Sequence, residues 1–300
     1  MKKKTYLFAL MAMVLTLGSC SDNENGIGGE TSKYITVSTS IGNMTRVATD
    51  AKGGQTFEEG DEISVYAWIG APTVAPETRE RVVNNAINKL TNGSWVATPQ
   101  MLWKNNRDKH YFIGVYPTAA ISDFTAGEYK LDVAKQEDSD LLVAVNKDGI
   151  SYNADEQQTV PLTFTHVMAK LAVNLTYKNQ WGGIPTVEKV VVGNAAKEAT
   201  INYLTKVVTP STTAKEDFSL PEITENTKYV SVIIPQEDVT QLTIVIGGKN
   251  FVYDNGTPFK LESGKITTVN LEVGRDEIKL GDVKITNWED GSTFSGEALN

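Results

Sequence analysis

Apolar and polar residues alternate in short runs along most of this chain. Tyr34 to Ile41 (YITVSTSI) puts Ile35, Val37 and Ile41 on one face and Tyr34, Thr36, Ser38 and Ser40 on the other. That period of two is the pattern of a half-buried strand. Glu62 to Ile69 (EISVYAWI) repeats it, with Ile63, Val65, Ala67 and Ile69 opposite Tyr66 and Trp68. Pro72 and Pro76 close that run. Arg81 to Leu90 fits helix or strand by periodicity alone. Asn92-Gly93 before Ser94-Trp95-Val96 favours a hairpin and therefore a strand. Further strands are predicted at 101–103, 110–116, 129–133 and 141–145, followed by one long apolar stretch, 158–177 (QTVPLTFTHVMAKLAVNLTY). The C-terminal half predicts strands at 187–193, 199–208, 229–234, 242–246, 249–253, 258–262, 265–273 and 280–288. Gly247-Gly248 and Asp254-Asn255-Gly256 serve as turns there. Short strands at this spacing, without a convincing long helix, predict an all-β protein built of sandwiches.

The first 20 residues break the pattern. Lys2, Lys3 and Lys4 precede an apolar run, residues 5–18, and Leu17-Gly18-Ser19-Cys20 ends it. A charged start, a short apolar core and small residues before a cut form a secretory signal. The run falls short of the ~20 residues a spanning helix needs. Leu-Gly-Ser-Cys resembles the lipobox of bacterial lipoproteins. In those proteins the signal is cut before the cysteine, which is then acylated with chains such as palmitate. Residues 1–19 are thus expected to be a lipoprotein signal peptide and Cys20 a lipidation site. Lipid chains at ~0.8 kcal/mol per buried CH2 would anchor the chain to the outer membrane without a helix. Cys20 is the one cysteine, so no thiol remains for a disulfide or a catalytic nucleophile. Residues 20–33 hold Ile27 as their single aliphatic residue and predict an acidic flexible tether.

Charge narrows the function. With Lys2, Lys3 and Lys4 set aside, 25 basic residues face 37 acidic ones, a net charge of −12. An acidic surface excludes the basic stripe that nucleic acid requires. Chemistry-bearing motifs are sparse. His110 and His166 are 56 positions apart, and neither has a second ligand at metal spacing. His166 reads as a structural hydrogen-bonding residue. Glu58, Glu59 and Asp61 read as a charged loop in which Asp61 bonds a turn. Glu137, Asp138 and Asp140 lack the order of a calcium loop. No nucleophile elbow, zinc motif or P-loop occurs. No catalytic residue, metal or cofactor is therefore expected. Trp68, Trp95, Trp103, Trp181 and Trp288 are scattered and read mostly as core or interface anchors.

Several pieces in order carry a family resemblance. They are the lipobox, a first strand ending in Thr45-Arg46, and Phe57-x-x-Gly60-Asp61-x-Ile63-x-Val65-Tyr66. Trp95, Trp103, Phe112-x-x-x-Tyr116-Pro117 and Asp140-Leu141-Leu142-Val143-Ala144 follow. Leu162-x-Phe164-x-His166-x-x-Ala169-Lys170-Leu171 completes the set. Together they resemble the fimbrillin family of Bacteroidales, the subunits of type V pili. The resemblance covers essentially the whole mature chain. It implies two tandem transthyretin-like β-sandwich domains, 34–165 and 166–300, the second with a donor-strand tail. It implies a structural or accessory fimbrial subunit, exported as a lipoprotein, that mediates adhesion at the cell surface. It also implies a cut after Arg46, before Val47, that removes the strand carrying Ile35, Val37 and Ile41. A segment from another subunit would then fill the groove, and the candidate here is 283–294 with Val283, Ile285 and Trp288. The implied partners are other fimbrial subunits, the outer membrane through lipid, and a host or bacterial surface receptor. The alternative is a monomeric surface lipoprotein that binds glycan through a non-catalytic β-sandwich.

Overall fold

The structure, a computed structural model, describes residues 33–42, 56–156 and 158–288. The first half forms a seven-stranded sheet. Its strands are β1 (Thr36–Ile41), β2 (Glu62–Ile69), β3 (Arg81–Thr91), β4 (Ser94–Thr98), β5 (Lys109–Tyr116), β7 (Leu142–Ser151) and β8 (Thr159–His166). They lie in the order β1-β8-β7-β5-β2-β3-β4. Between β5 and β7 come a short strand, β6 (Gly127–Lys130), and one helical turn, Gln136–Ser139. Most pairings are antiparallel, but β1 runs parallel to β8.

The alternation seen in the sequence becomes two buried faces. Ile63, Val65 and Ala67 of β2 join Phe112, Leu142, Ala144, Leu162 and Phe164 in one apolar cluster. Tyr66 and Trp68, from the other face of the same strand, join a second cluster that continues through Ile113, Val115 and Phe124 into the C-terminal half. A central strand covered on both sides has no polar face to show, so EISVYAWI is apolar almost throughout. Arg81–Thr91 is a strand, and Asn92 and Gly93 take φ of 51° and 72° in its hairpin to β4.

The chain leaves the seven-stranded sheet at His166 and enters another at Ala169. The remaining strands are β9 (Ala169–Tyr177), β10 (Val187–Ala196), β11 (Glu198–Asn202), β12 (Val207–Pro210), β13 (Lys215–Ser219), β14 (Glu222–Thr224), β15 (Lys228–Ile233), β16 (Gln236–Ile246), β17 (Lys249–Leu261), β18 (Lys265–Val273) and β19 (Ile278–Asn287). A five-stranded sheet, β14-β15-β9-β18-β19, and a four-stranded sheet, β13-β10-β16-β17, contribute to one apolar cluster. Strands β12, β11 and β6 form a small third sheet, which joins the two halves of the sequence through β6.

Four expectations differ in detail. The apolar stretch 158–177 is two strands in different sheets, divided at Val167-Met168. The segment 101–103 makes only an isolated bridge, Leu102 to Tyr34. The expected strand 199–208 folds into the β11–β12 hairpin, with Lys206 at φ 63°. Asp254-Asn255-Gly256 does not turn the chain back. Strand β17 runs through it, and four residues bulge where Gln241 pairs Asp254 and Val239 pairs Phe259. Positive φ at Gly256 (69°) suits a bulge as well as a turn, and pairing with β16 selects the bulge.

Candidate functional site

Strand β1 is the outermost strand of its sheet. Ile35, Val37 and Ile41 are buried among Met101, Trp103, Phe112, Val160, Leu162 and Phe164. At ~1.5–3 kcal/mol for each buried aliphatic side chain, the three contribute roughly 5–9 kcal/mol. That is comparable to the whole stability of an ordinary domain, about 5–15 kcal/mol. Backbone bonds hold both ends of the segment. Ile35 N donates to Met101 O at 2.9 Å, and Gly42 N to Phe164 O at 2.8 Å.

The pairing around β8 is lopsided. Residues Thr159 to Phe164 pair with β1, whereas β7 pairs with β8 only from Phe164 to His166. Thr159 to Thr163 therefore have β1 as their one strand partner among the described residues. On its other flank β1 faces an open groove of about 600 Å³, lined also by Phe57, Leu90, Ser94 and Trp95. Trp95 Nε1 crosses it to donate to Thr39 Oγ1 at 3.0 Å. Phe57 packs edge-on against Trp95, Tyr116 and Phe164, with ring centroids 5.1–5.3 Å apart. Cys20, Arg46 and Val47 lie outside the described residues.

Strand β19 is also an edge strand, paired antiparallel with β18. Val283 lies opposite Val269, and Ile285 opposite Thr267. Val269 and Thr267 are fully buried, so Val283 and Ile285 share the inward face. Yet they remain 39% and 40% exposed. Trp288, just past the strand, is only 6% exposed.

A compact cluster surrounds the Trp288 indole. The His166 ring stacks on it at 4.1 Å and 6° between planes. Lys170 Nζ lies 4.2 Å from the ring centroid. His166 Nδ1 is 2.8 Å from Asp140 Oδ1. Burial draws the Lys170 ammonium down to about 8, while the Asp140 carboxylate opposes that fall. Among the described residues, His166 Nε2 and Trp288 Nε1 are buried without a hydrogen-bond partner. Gly264 supplies the backbone seat. It accepts from Trp288 N at 2.9 Å and donates to Met168 O at 2.8 Å. Its φ is 66°, and a Cβ there would approach His166 O to 3.1 Å. The structure brings His166 and Trp288 together, a pairing that sequence spacing did not reveal. Lys170 and Asp140 were missed as its neighbours. Their one signal was a lone charge, Lys170, inside the apolar run VMAKLAV.

The other chemistry candidates serve the scaffold. Asp61 Oδ2 accepts from Glu58 N at 2.7 Å, and Glu59 Oε1 accepts from Asn92 N at 2.7 Å. Both carboxylates thus hold tight turns. Among the described residues no group of three or more His, Cys, Asp or Glu stands ready for a metal. His110 Nε2 accepts from Lys104 N at 3.1 Å, and Nδ1 pairs with Asp108 O at 3.1 Å. That geometry assigns a neutral ring with its proton on Nδ1. Burial lowers its pKa, partly offset by hydrogen bonding to Asp108 O. Trp68, Trp103 and Trp288 are buried, and Trp95 and Trp181 are half-buried.

These features define an all-β sandwich protein whose first and last described strands both lie on sheet edges. Its sequence matches the model of the Fimbrillin-like family over residues 45–288, and the chain belongs to that family. No curated protein matches it. Solved structures share the fold. One, titled a "putative cell adhesion protein" from Bacteroides uniformis, aligns with a TM-score of 0.61 at 19% identity, covering 78% of this chain and 93% of the other. A second with that title, from Bacteroides ovatus, gives a TM-score of 0.62 at 17% identity, covering 85% and 98%. A fimbrial protein from Bacteroides vulgatus gives 0.51 at 13% identity, covering 84% and 99%.

Proposed function

We propose that this chain is a subunit of a surface fimbria used in adhesion, and that it joins its neighbours by strand exchange. Family membership supports the coarse reading. The observation that carries the exchange is the position of β1. It is an edge strand, it is the one strand partner of Thr159–Thr163 among the described residues, and its segment buries Ile35, Val37 and Ile41. In this reading the chain is exported as a lipoprotein acylated on Cys20. Residues 34–165 and 166–300 act as tandem transthyretin-like sandwiches, the first carrying the acceptor groove and the second the donor. A cut after Arg46 severs β1 from the rest. The vacated groove exposes unpaired backbone and an apolar trough, which an extended segment of another subunit fills.

Energetics favour a filled groove. Losing roughly 5–9 kcal/mol of side-chain burial would leave an empty subunit close to unfolding. An occupied groove is therefore strongly preferred once β1 is gone. A donor entering antiparallel would also make a slightly more stable ladder than the parallel one it replaces. Val283 and Ile285, two residues apart on one half-exposed face, have the spacing needed to occupy positions vacated by Ile35 and Val37.

Mass spectrometry of the N-terminus of protein recovered from cells tests this reading, combined with its size on a non-boiled gel. A chain starting at Val47 in a ladder of high-molecular-weight species is expected, and Arg46→Ala should abolish both. A surface chain that begins at acylated Cys20 and retains β1 would overturn the exchange.

A further inference from the structure

The indole of Trp288 is held differently from the strand that carries it. From Lys279 to Asn287 every residue of β19 is exposed to solvent. No residue of the strand reaches full burial, and the deep burial begins only at Trp288. There three charged or polar side chains from separate elements converge. Asp140 follows the helical turn 136–139, His166 ends β8, and Lys170 lies in β9. His166 stacks on the indole, Lys170 places its ammonium 4.2 Å from the ring, and Asp140 orients His166 at 2.8 Å.

We infer that Asp140, His166 and Lys170 form a dock for an indole, and that this dock is a releasable latch keeping β19 in its own sheet. Stacking and cation–π attraction give the dock its grip. Two buried polar atoms, His166 Nε2 and Trp288 Nε1, weaken it, because neither has a partner among the described residues when the indole is seated. Both regain water when it leaves, which lowers the cost of release. The apolar face of β19 adds little resistance, since Val283 and Ile285 are already about two-fifths exposed. His166 lies two positions along β8 from Phe164, the last residue of that strand to pair with β1. That a second copy of this chain receives the freed strand rests on the strand-exchange reading. The latch itself does not.

Hydrogen exchange on the full-length chain tests the latch. In Trp288→Ala, amides of 278–287 should exchange at least tenfold faster, while those of β9 and β15 keep their protection. Trp288→Phe should fall between that variant and the parent. His166→Ala and Lys170→Met, which empty the dock from the other side, should reproduce the effect. Unchanged exchange in β19 overturns the latch. Equal acceleration across the five-stranded sheet does so as well, since it would make Trp288 an ordinary core residue. Acceleration in Trp288→Ala alone would overturn the dock. Release of β19 without any ladder of assembled subunits would sink the strand-exchange reading and leave the latch standing.

Discussion

The first and last described strands occupy the same topological position and are held in opposite ways. Strand β1 lies at the edge of the seven-stranded sheet, and its segment buries Ile35, Val37 and Ile41. Strand β19 lies at the edge of the five-stranded sheet, leaves its apolar residues half-covered and is anchored by one indole. An edge position says that a strand lacks a neighbour. It does not say that the strand is loose. The opposing layer decides that, and it covers β1 but not β19. In the proposed exchange the contrast has a function. A strand worth most of a domain's stability leaves only after its chain is cut, whereas a half-covered strand can leave intact.

Substitutions on the two strands should separate them sharply. Val37→Asp places an unpaired carboxylate in the core beneath β1 and should cost at least about 3 kcal/mol, read from the urea midpoint. Val283→Asp makes the same chemical change on β19 and should cost under about 1 kcal/mol, because water reaches that side chain. Similar losses at both sites would refute the contrast. Gly114→Ala tests the bed on which β8 rests. A Cβ there meets Phe164 Cζ at 2.6 Å and Leu162 Cδ1 at 3.2 Å. Overpacking of this kind costs about 1–3 kcal/mol and should loosen β1 and β8 before it affects β19. Trp95→Phe removes the bond to Thr39 and keeps most of the ring contact with Phe57. It should cost about 1 kcal/mol and speed exchange in β1 alone.

Acid should act on the β1 side as well. The His110 ring packs edge-on against Trp103 at 5.0 Å, and Trp103 N bonds Lys33 O just before β1. Its folded pKa lies below the ordinary 6.5. As pH falls through 6.5 the unfolded chain takes up a proton that the folded chain refuses, so stability drops. Above 6.5 both states are neutral and this contribution is fully present. The His110 contribution to the denaturation midpoint should therefore be flat above pH 6.5 and decline below it, and His110→Gln should shrink the decline. A parent and variant that fall in parallel between pH 6.5 and about 5 would show that His110 is not responsible.

Local pattern carried most of the secondary structure. Period-two alternation marked β1 and β18, which set side chains alternately toward and away from a packed layer, whereas short apolar runs marked β2, β5 and β15, which are buried almost throughout. Asn92-Gly93 marked its hairpin, since both positions need positive φ. Strands β13 and β14 escaped notice because KEDFS and EIT carry too few apolar residues to alternate. Asp254-Asn255-Gly256 misled for the complementary reason, as positive φ is common to turns and bulges.

The sequence by itself determined which faces would be apolar, where tight turns could form and that the surface would be acidic. These depend on each residue's own size, charge and backbone freedom. Only the tertiary structure decided which strands became edges, and which edges were covered. Strand β1 meets β8 across 123 positions at Thr36 and Thr159. The dock gathers residues 140, 166, 170 and 288 from four separate places. No local pattern encodes such meetings, because they arise when sheets twist and stack and each apolar face settles on whichever layer remains to cover it.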